Sequence, residues 1–268
     1  MRSVVVGAIL LGIVIAGVVG SWVLPISDPL DMDVSRRLSP PSWRHPFGTD
    51  QYGRDVFSRV LRGGAVALGA SIVSVGIASL TGVPIGFGAG LAGGIVDEAI
   101  MRLMDALQAF PSILLAIAIV AILGPGPLNA MVAIGLVNGP VFARLARSVV
   151  LSLKERDFIL AAEALGAPRL RILWRHILPN GLGPLLVQAS IGASTAVLAE
   201  ASLSYLGLGT QPPDPSWGRM LEEARLFMDR APWMALFPGL ALFLTVLGFN
   251  FLGDGLRDLT DPWRRGRR

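Results

Sequence analysis

The chain of 268 residues is 53% hydrophobic and only 16% charged, with its apolar residues in long blocks, which excludes an ordinary soluble domain and points to a polytopic membrane protein. It has no cysteine, so disulfides, thiolate chemistry, iron–sulfur clusters and cysteine-based zinc sites are excluded. A net charge of +4 would suggest nucleic acid for a soluble protein; in an apolar chain the basic residues set membrane orientation instead, and no nucleic-acid partner is expected.

A helix crosses the bilayer with about 20 mainly apolar residues, because its backbone polar groups must be satisfied internally. Six stretches qualify: 4–24, 65–92, 103–123, 128–143, 183–208 and 234–253. The first has signal-peptide features, with Arg2 ahead of it and Gly20 and Ser21 near its end, but it is too long for such a segment. It closes at Trp22 and Pro25, so an interfacial anchor is expected. With the N-terminus inside, the inner segments hold fourteen Lys and Arg against nine in the outer ones, which places both termini in the cytoplasm. The expected organisation is an N-terminal helix with its extracytoplasmic segment (1–64), a transmembrane core (65–258) carrying a long inner loop (144–182), and a basic tail (259–268).

That inner loop contains "ALGAPRLRILWRHILPN", residues 164–180, a basic passage in an apolar chain. Two short helices with a break between them are predicted. Asp157 suits the N-cap of the first, and Gly166 the left-handed residue after it. Pro168 suits the first turn of the second helix and Pro179 its end. On the second helix Leu170, Leu173, Trp174 and Ile177 form one apolar stripe, with Arg169, Arg171 and Arg175 off it. Such a helix can lie on anionic lipid or dock into a groove of a cytoplasmic protein.

The loop resembles the EAA loop by which permeases of ABC transporters dock on an ATP-hydrolysing subunit. With the family glycine on Gly166, the two alanines fall on Ala161 and Ala162 and the closing Leu-Pro on Leu178 and Pro179. Leu160 stands in place of the family Glu and His176 in place of an Ile, and with Asp157 as N-cap the missing Glu would remove a capping box. "HPFGTDQYGRDVFSRVLRGG", "AEASLSYLGLGTQPPDPSWGRML" and "FPGLALFLTVLGFNFLGDGLRD" resemble the shorter, second-type permease of dipeptide, oligopeptide and nickel importers, over nearly all of residues 45–262. The resemblance implies an all-α polytopic protein of about six transmembrane helices with a type-I ABC importer core, in the inner membrane of a bacterium or archaeon. It also implies a heterodimer with a related permease, two ATP-binding subunits, an extracytoplasmic solute-binding protein, and peptides, nickel or another small solute as cargo.

Glu200 within the fifth stretch is either a translocation or gating acid or a packing acid hydrogen-bonded to nearby hydroxyls, and packing is preferred. Ser194 and Ser202, with Ser190, Gly192, Thr195 and Ser204, let helices approach closely or line a polar path. His45 and His176 fall in different compartments, so no metal site is expected. Lys154, the sole lysine, ends no Walker A loop, so ATP hydrolysis is assigned to a partner. Arg264, Arg265, Arg267 and Arg268 read as a tail contacting lipid headgroups. A stand-alone channel or secondary transporter would be expected to show internal repeats or several mid-membrane charges, and a membrane enzyme a converging catalytic set; neither pattern is visible.

Overall fold

The computed structural model describes residues 2–24 and 26–260; Pro25 and the four arginines of the basic tail lie outside the described residues. In chain order the helices are α1 (Arg2–Val23), α2 (Val56–Ala92), α3 (Gly94–Gln108), α4 (Ser112–Leu123), α5 (Pro127–Leu153), α6 (Asp157–Ala164), α7 (Arg169–Ile172), α8 (Leu178–Tyr205), α9 (Trp217–Ala224) and α10 (Trp233–Thr260). Among the described residues five helical spans are long and apolar enough to cross a membrane, and six if α3 and α4, bent by 89° at the break between them, are counted as one span.

The centre is the pairing of α2 with α5. Ser74, Ala78, Gly82, Gly86 and Gly90 recur every fourth residue and are all buried, so one face of α2 carries no bulk and the α5 backbone comes close, as small residues allow between membrane helices. A Cβ at Gly82 would strike the Gly139 carbonyl oxygen and one at Gly86 that of Ala143; Ser74 Oγ adds a hydrogen bond to Met131 O at 2.8 Å. α8 packs on α2, α5 and α10. α1 leans on α10, where Gly7 lies against Gly248 and Leu252.

Four expected boundaries change, each where a charge or a proline misleads. The second span begins at Val56 rather than 65, capped by Asp55, which accepts from Ser58 N at 2.8 Å. Arg59 and Arg62 in that first stretch make it look too polar to be helix. The third span is not one helix over 103–123: α3 stops at Gln108, Pro111 caps α4, and the proline disfavours helical backbone at the residue before it. α4 alone covers only about 18 Å of a roughly 30 Å hydrocarbon layer. The fourth span runs on to Leu153, past Arg144 and Arg147, because α3 supplies their partners. Arg147 holds Asp97 through two hydrogen bonds of 2.6 Å each, and Arg144 reaches Asp105 at 2.5 Å.

The fourth change concerns Pro179, which does not end a helix. α7 passes through a π turn at Leu173–Ile177 into α8, so Arg169–Tyr205 is one helical rod. The widened turn accommodates Pro179, whose ring would otherwise meet the carbonyl one turn earlier and whose nitrogen offers no proton.

Candidate coupling surface and transmembrane hollow

α6, the turn at Gly166 and α7 form one compact element. Gly166 has φ of +78°, its N–H donates to Glu163 O at 2.9 Å, and the Ala167 N–H donates to Ala162 O at 3.0 Å. That is a Schellman closure, which needs a left-handed residue where Gly166 stands. Pro168 is the N-cap of α7, one position before the first turn expected for it. The expected N-cap role of Asp157 is not found: Arg156 is the N-cap and Asp157 the first helical residue, without a side-chain capping bond. An acid there still meets the positive end of the helix dipole. Leu160 consequently lies beyond the N3 position, so the missing family Glu removes no capping box.

The element is pinned from one side. Ile159, Ile172 and Ile177 are buried in a cluster with Phe87 of α2 and Val149 and Val150 of α5, with Ala162, Ala167, Leu173 and Leu178 packed against it. The stripe expected on α7 therefore divides. Ile177 and Leu173 face inward with Ile172, whereas Leu170 and Trp174 project outward beside Pro168, Arg171 and Arg175 around a shallow hollow. Leu165 is 88% exposed and Trp174 63%, and Ala161 and Pro179 are exposed as well. Large apolar side chains held rigidly in the open, with arginines around them, form a patch suited to another protein's surface.

The residues singled out on α8 separate onto different faces. Glu200 is only 1% exposed and accepts from Ser204 Oγ at 2.6 Å, while the Thr210 N–H donates to the same hydroxyl at 2.9 Å, so the acid ties the end of α8 to the following loop. Ser194 is buried and donates to Ile191 O at 2.9 Å and to Asn250 Oδ1 of α10 at 3.2 Å. Ser202 is exposed and donates within its own helix to Leu198 O at 2.8 Å. With Ser112, Asn138 and Thr195 it lines a hollow of about 350 Å³ between α4, α5 and α8, where polar groups interrupt an apolar wall.

Sequence reasoning missed a buried ionic cluster at the other end of the molecule. Arg54 reaches Asp50 at 2.5 Å and Glu223 at 2.9 Å. Arg59, 1% exposed, lies 3.7 Å from Asp50 and 3.6 Å from Glu223 and donates to Pro29 O at 3.1 Å and Pro213 O at 3.4 Å. The spacing of Asp50 and Arg54 is a local signal; the partnership with Glu223 across 169 positions is not. His45 Nδ1 lies 2.9 Å from Asp55 Oδ1, which assigns this histidine to the same cap. Together these contacts bind residues 26–55 and α9 onto the first turns of α2.

Helices packed through glycine faces, a hollow with hydroxyls between three apolar helices and a short helical element, α6 to α7, fixed to the core from one side define a membrane permease fold. The chain belongs to the family described as binding-protein-dependent transport system inner membrane component, whose model matches residues 82–266. It is 48% identical to the dipeptide transport system permease protein DppC of Alkalihalophilus pseudofirmus over 97% of this chain and 86% of that one. Identity is 44% to the di/tripeptide transport system permease protein DppC of Pseudomonas aeruginosa, over 93% of this chain and 84% of that protein. Identity is 46% to the glutathione transport system permease protein GsiD of Escherichia coli, over 95% of this chain and 84% of that protein. A solved structure of the MetNI methionine ABC transporter, described as inward facing, has the same fold, with a TM-score of 0.62 at 22% identity, covering 75% of this chain and 96% of that one.

Proposed function

We propose that this chain is one of two permease subunits of an ATP-driven importer for di- or oligopeptides, with ATP hydrolysis carried out by two partner subunits and solute delivered by an extracytoplasmic binding protein. The observation that carries the coupling role is the two-sided element of α6 and α7: Ile159, Ile172 and Ile177 fix it to α2 and α5, and Leu165, Leu170 and Trp174 stay bare. In this reading Asp157, Ala161, Ala162, Gly166, Pro168, Leu178 and Pro179 belong to the docking element, which faces the cytoplasm with both termini. The charge bias and the family support that orientation. Because α7 continues into α8 without a break, a displacement of the docked element moves the helix that carries Thr195 and Ser202. ATP and solute drive the cycle by binding the outward-open and inward-open arrangements with different affinity. Ser202 then belongs to the pathway face, Ser194 and Glu200 to helix packing, and 65–258 to the transport core. The peptide cargo is supported by the names of the relatives.

The test of cargo is uptake in cells that need an external dipeptide to supply an essential amino acid. Deleting the chain's coding sequence should abolish growth on the dipeptide and leave growth on the free amino acid intact. Unchanged growth on di-, tri- and longer peptides would contradict a peptide importer.

A further inference from the structure

α1 packs on α10 near its start, through Gly7, and on α2 towards its end, where Gly17 approaches Leu61 and Gly64 approaches Val18. Between the three helices is left a wedge of about 310 Å³ with an almost wholly apolar wall that includes Val14, Val18, Leu61, Phe237 and Ala241. Its floor is Trp217, which is 2% exposed. The wedge lies among three membrane helices, where water would find no hydrogen-bonding partner and the surrounding solvent is hydrocarbon. A second hollow, of about 470 Å³, is polar and lies at the α1–α2 end, lined by Arg62, Asp28 and Asp214. Leu61 and Arg62 are consecutive and Asp214 is three residues from Trp217, so two chain segments, the start of α2 and the entry to α9, border both hollows, while the segment after α1 adds Asp28 to the polar one. Ser21 and Trp22 continue the α1 face of Val14 and Val18 outward by one turn, and Arg62 lies over the Trp22 ring at 3.8 Å and donates to Ser21 O at 3.3 Å. Arg62 has no carboxylate within ion-pair distance among the described residues, and Asp28 and Asp214 are exposed.

We infer that the two hollows are one binding site for a zwitterionic phospholipid with a primary ammonium head group. An acyl chain fills the wedge beside Trp217, the phosphate lies on Arg62, and the ammonium lies between Asp28 and Asp214. A guanidinium beside two carboxylates matches a phosphate joined to an ammonium, whereas a purely anionic head group would be repelled by the acids and a quaternary choline could donate no hydrogen bond to them. The apolar wedge next to the polar hollow selects a lipid over a free zwitterion such as a short peptide. Its effect is to fasten α1 to α2 and α10 where protein contact gives out.

The test uses the full chain in nanodiscs of equimolar dioleoyl phosphatidylethanolamine, phosphatidylcholine and phosphatidylglycerol. It is extracted into mild detergent, and the lipid that stays bound is identified by native mass spectrometry. Phosphatidylethanolamine should be retained with a preference of about tenfold, as charge-assisted hydrogen bonds support. Joint replacement Asp28→Asn with Asp214→Asn should bring the three lipids to parity, Arg62→Gln should lower retention of all three, and Ala241→Phe should empty the wedge. Ile72→Phe, at a lipid-facing position elsewhere on α2, should change nothing. The two Asp replacements are in exposed loops, so they test the head-group assignment even where a wedge variant fails to fold. Retained lipid that matches the nanodisc composition in the wild-type chain, retention unaffected by Ala241→Phe, or displacement of the lipid by dialanine would overturn the assignment.

Discussion

Replacing Gly166 by valine isolates the geometry of the proposed docking element from its packing. A Cβ built on Gly166 meets no atom within 4 Å, so the substitution introduces no collision and acts on the backbone alone. At φ of +78° an L residue is disfavoured by about 1–2 kcal/mol, and a β-branched one is at the upper end. If Leu170 and Trp174 are presented to the ATP-binding subunit only with this turn closed, the closed-to-open ratio falls roughly 5- to 30-fold, and apparent docking affinity falls by up to that factor. The assay is titration of the ATP-binding subunit onto the permease pair in nanodiscs, with ATP-dependent uptake measured alongside. Gly166→Asn is the control, since asparagine tolerates the left-handed region and should stay near wild type. Wild-type affinity in Gly166→Val, or an equal loss in Gly166→Asn, would refute the reasoning, because neither follows from a backbone penalty.

Three further outcomes follow from the packing and the charges. Gly86→Val would drive a side chain into the Ala143 carbonyl and should remove folded protein from the membrane, whereas Gly88→Val, with open space around it, should be recovered normally in size-exclusion profiles. Arg59→Ala leaves Arg54 on Asp50 and Glu223 but takes the donor from the Pro29 and Pro213 carbonyls, and should destabilise the fold by about 1–3 kcal/mol, read as a drop in thermal midpoint, with Arg59→Lys losing less. A reporter active only outside the cytoplasm should be active when fused near Ser35 or Glu222 and silent near Glu155; activity near Glu155 would overturn the orientation and the docking element with it.

Hydrophobic run length located α1 and the apolar middle of α8 and α10, and Gly166 and Pro168 marked the break between the two short helices of the inner loop, whereas Pro179 marked no end. Two of the span errors share one cause: a charge looks like the end of a span when its partner is distant in sequence. Arg59 and Arg147 are both helical, because Glu223 and Asp50 accompany the first and Asp97 the second. Neither pairing has a local signature. The stripe was legible as apolar, but not as divided, since which of its residues meet Phe87, Val149 and Val150 depends on how α2 and α5 pack against it. The faces of Ser194 and Ser202 likewise depend on where α10 and α4 pack, which the order of residues along α8 does not contain.

Dependence on partners tests the central reading most directly. α4, α5 and α8 supply the wall of the hydroxyl-bearing hollow, and in the proposed reading a second permease completes the pathway. Purified into vesicles by itself, it should neither conduct nor accumulate a labelled dipeptide under any imposed gradient. With the related permease, the ATP-binding subunits and the binding protein added, uptake should appear, require ATP and disappear when the docking element at Ala161 to Gly166 is disrupted. Sustained gradient-driven dipeptide transport by the chain alone would contradict the account.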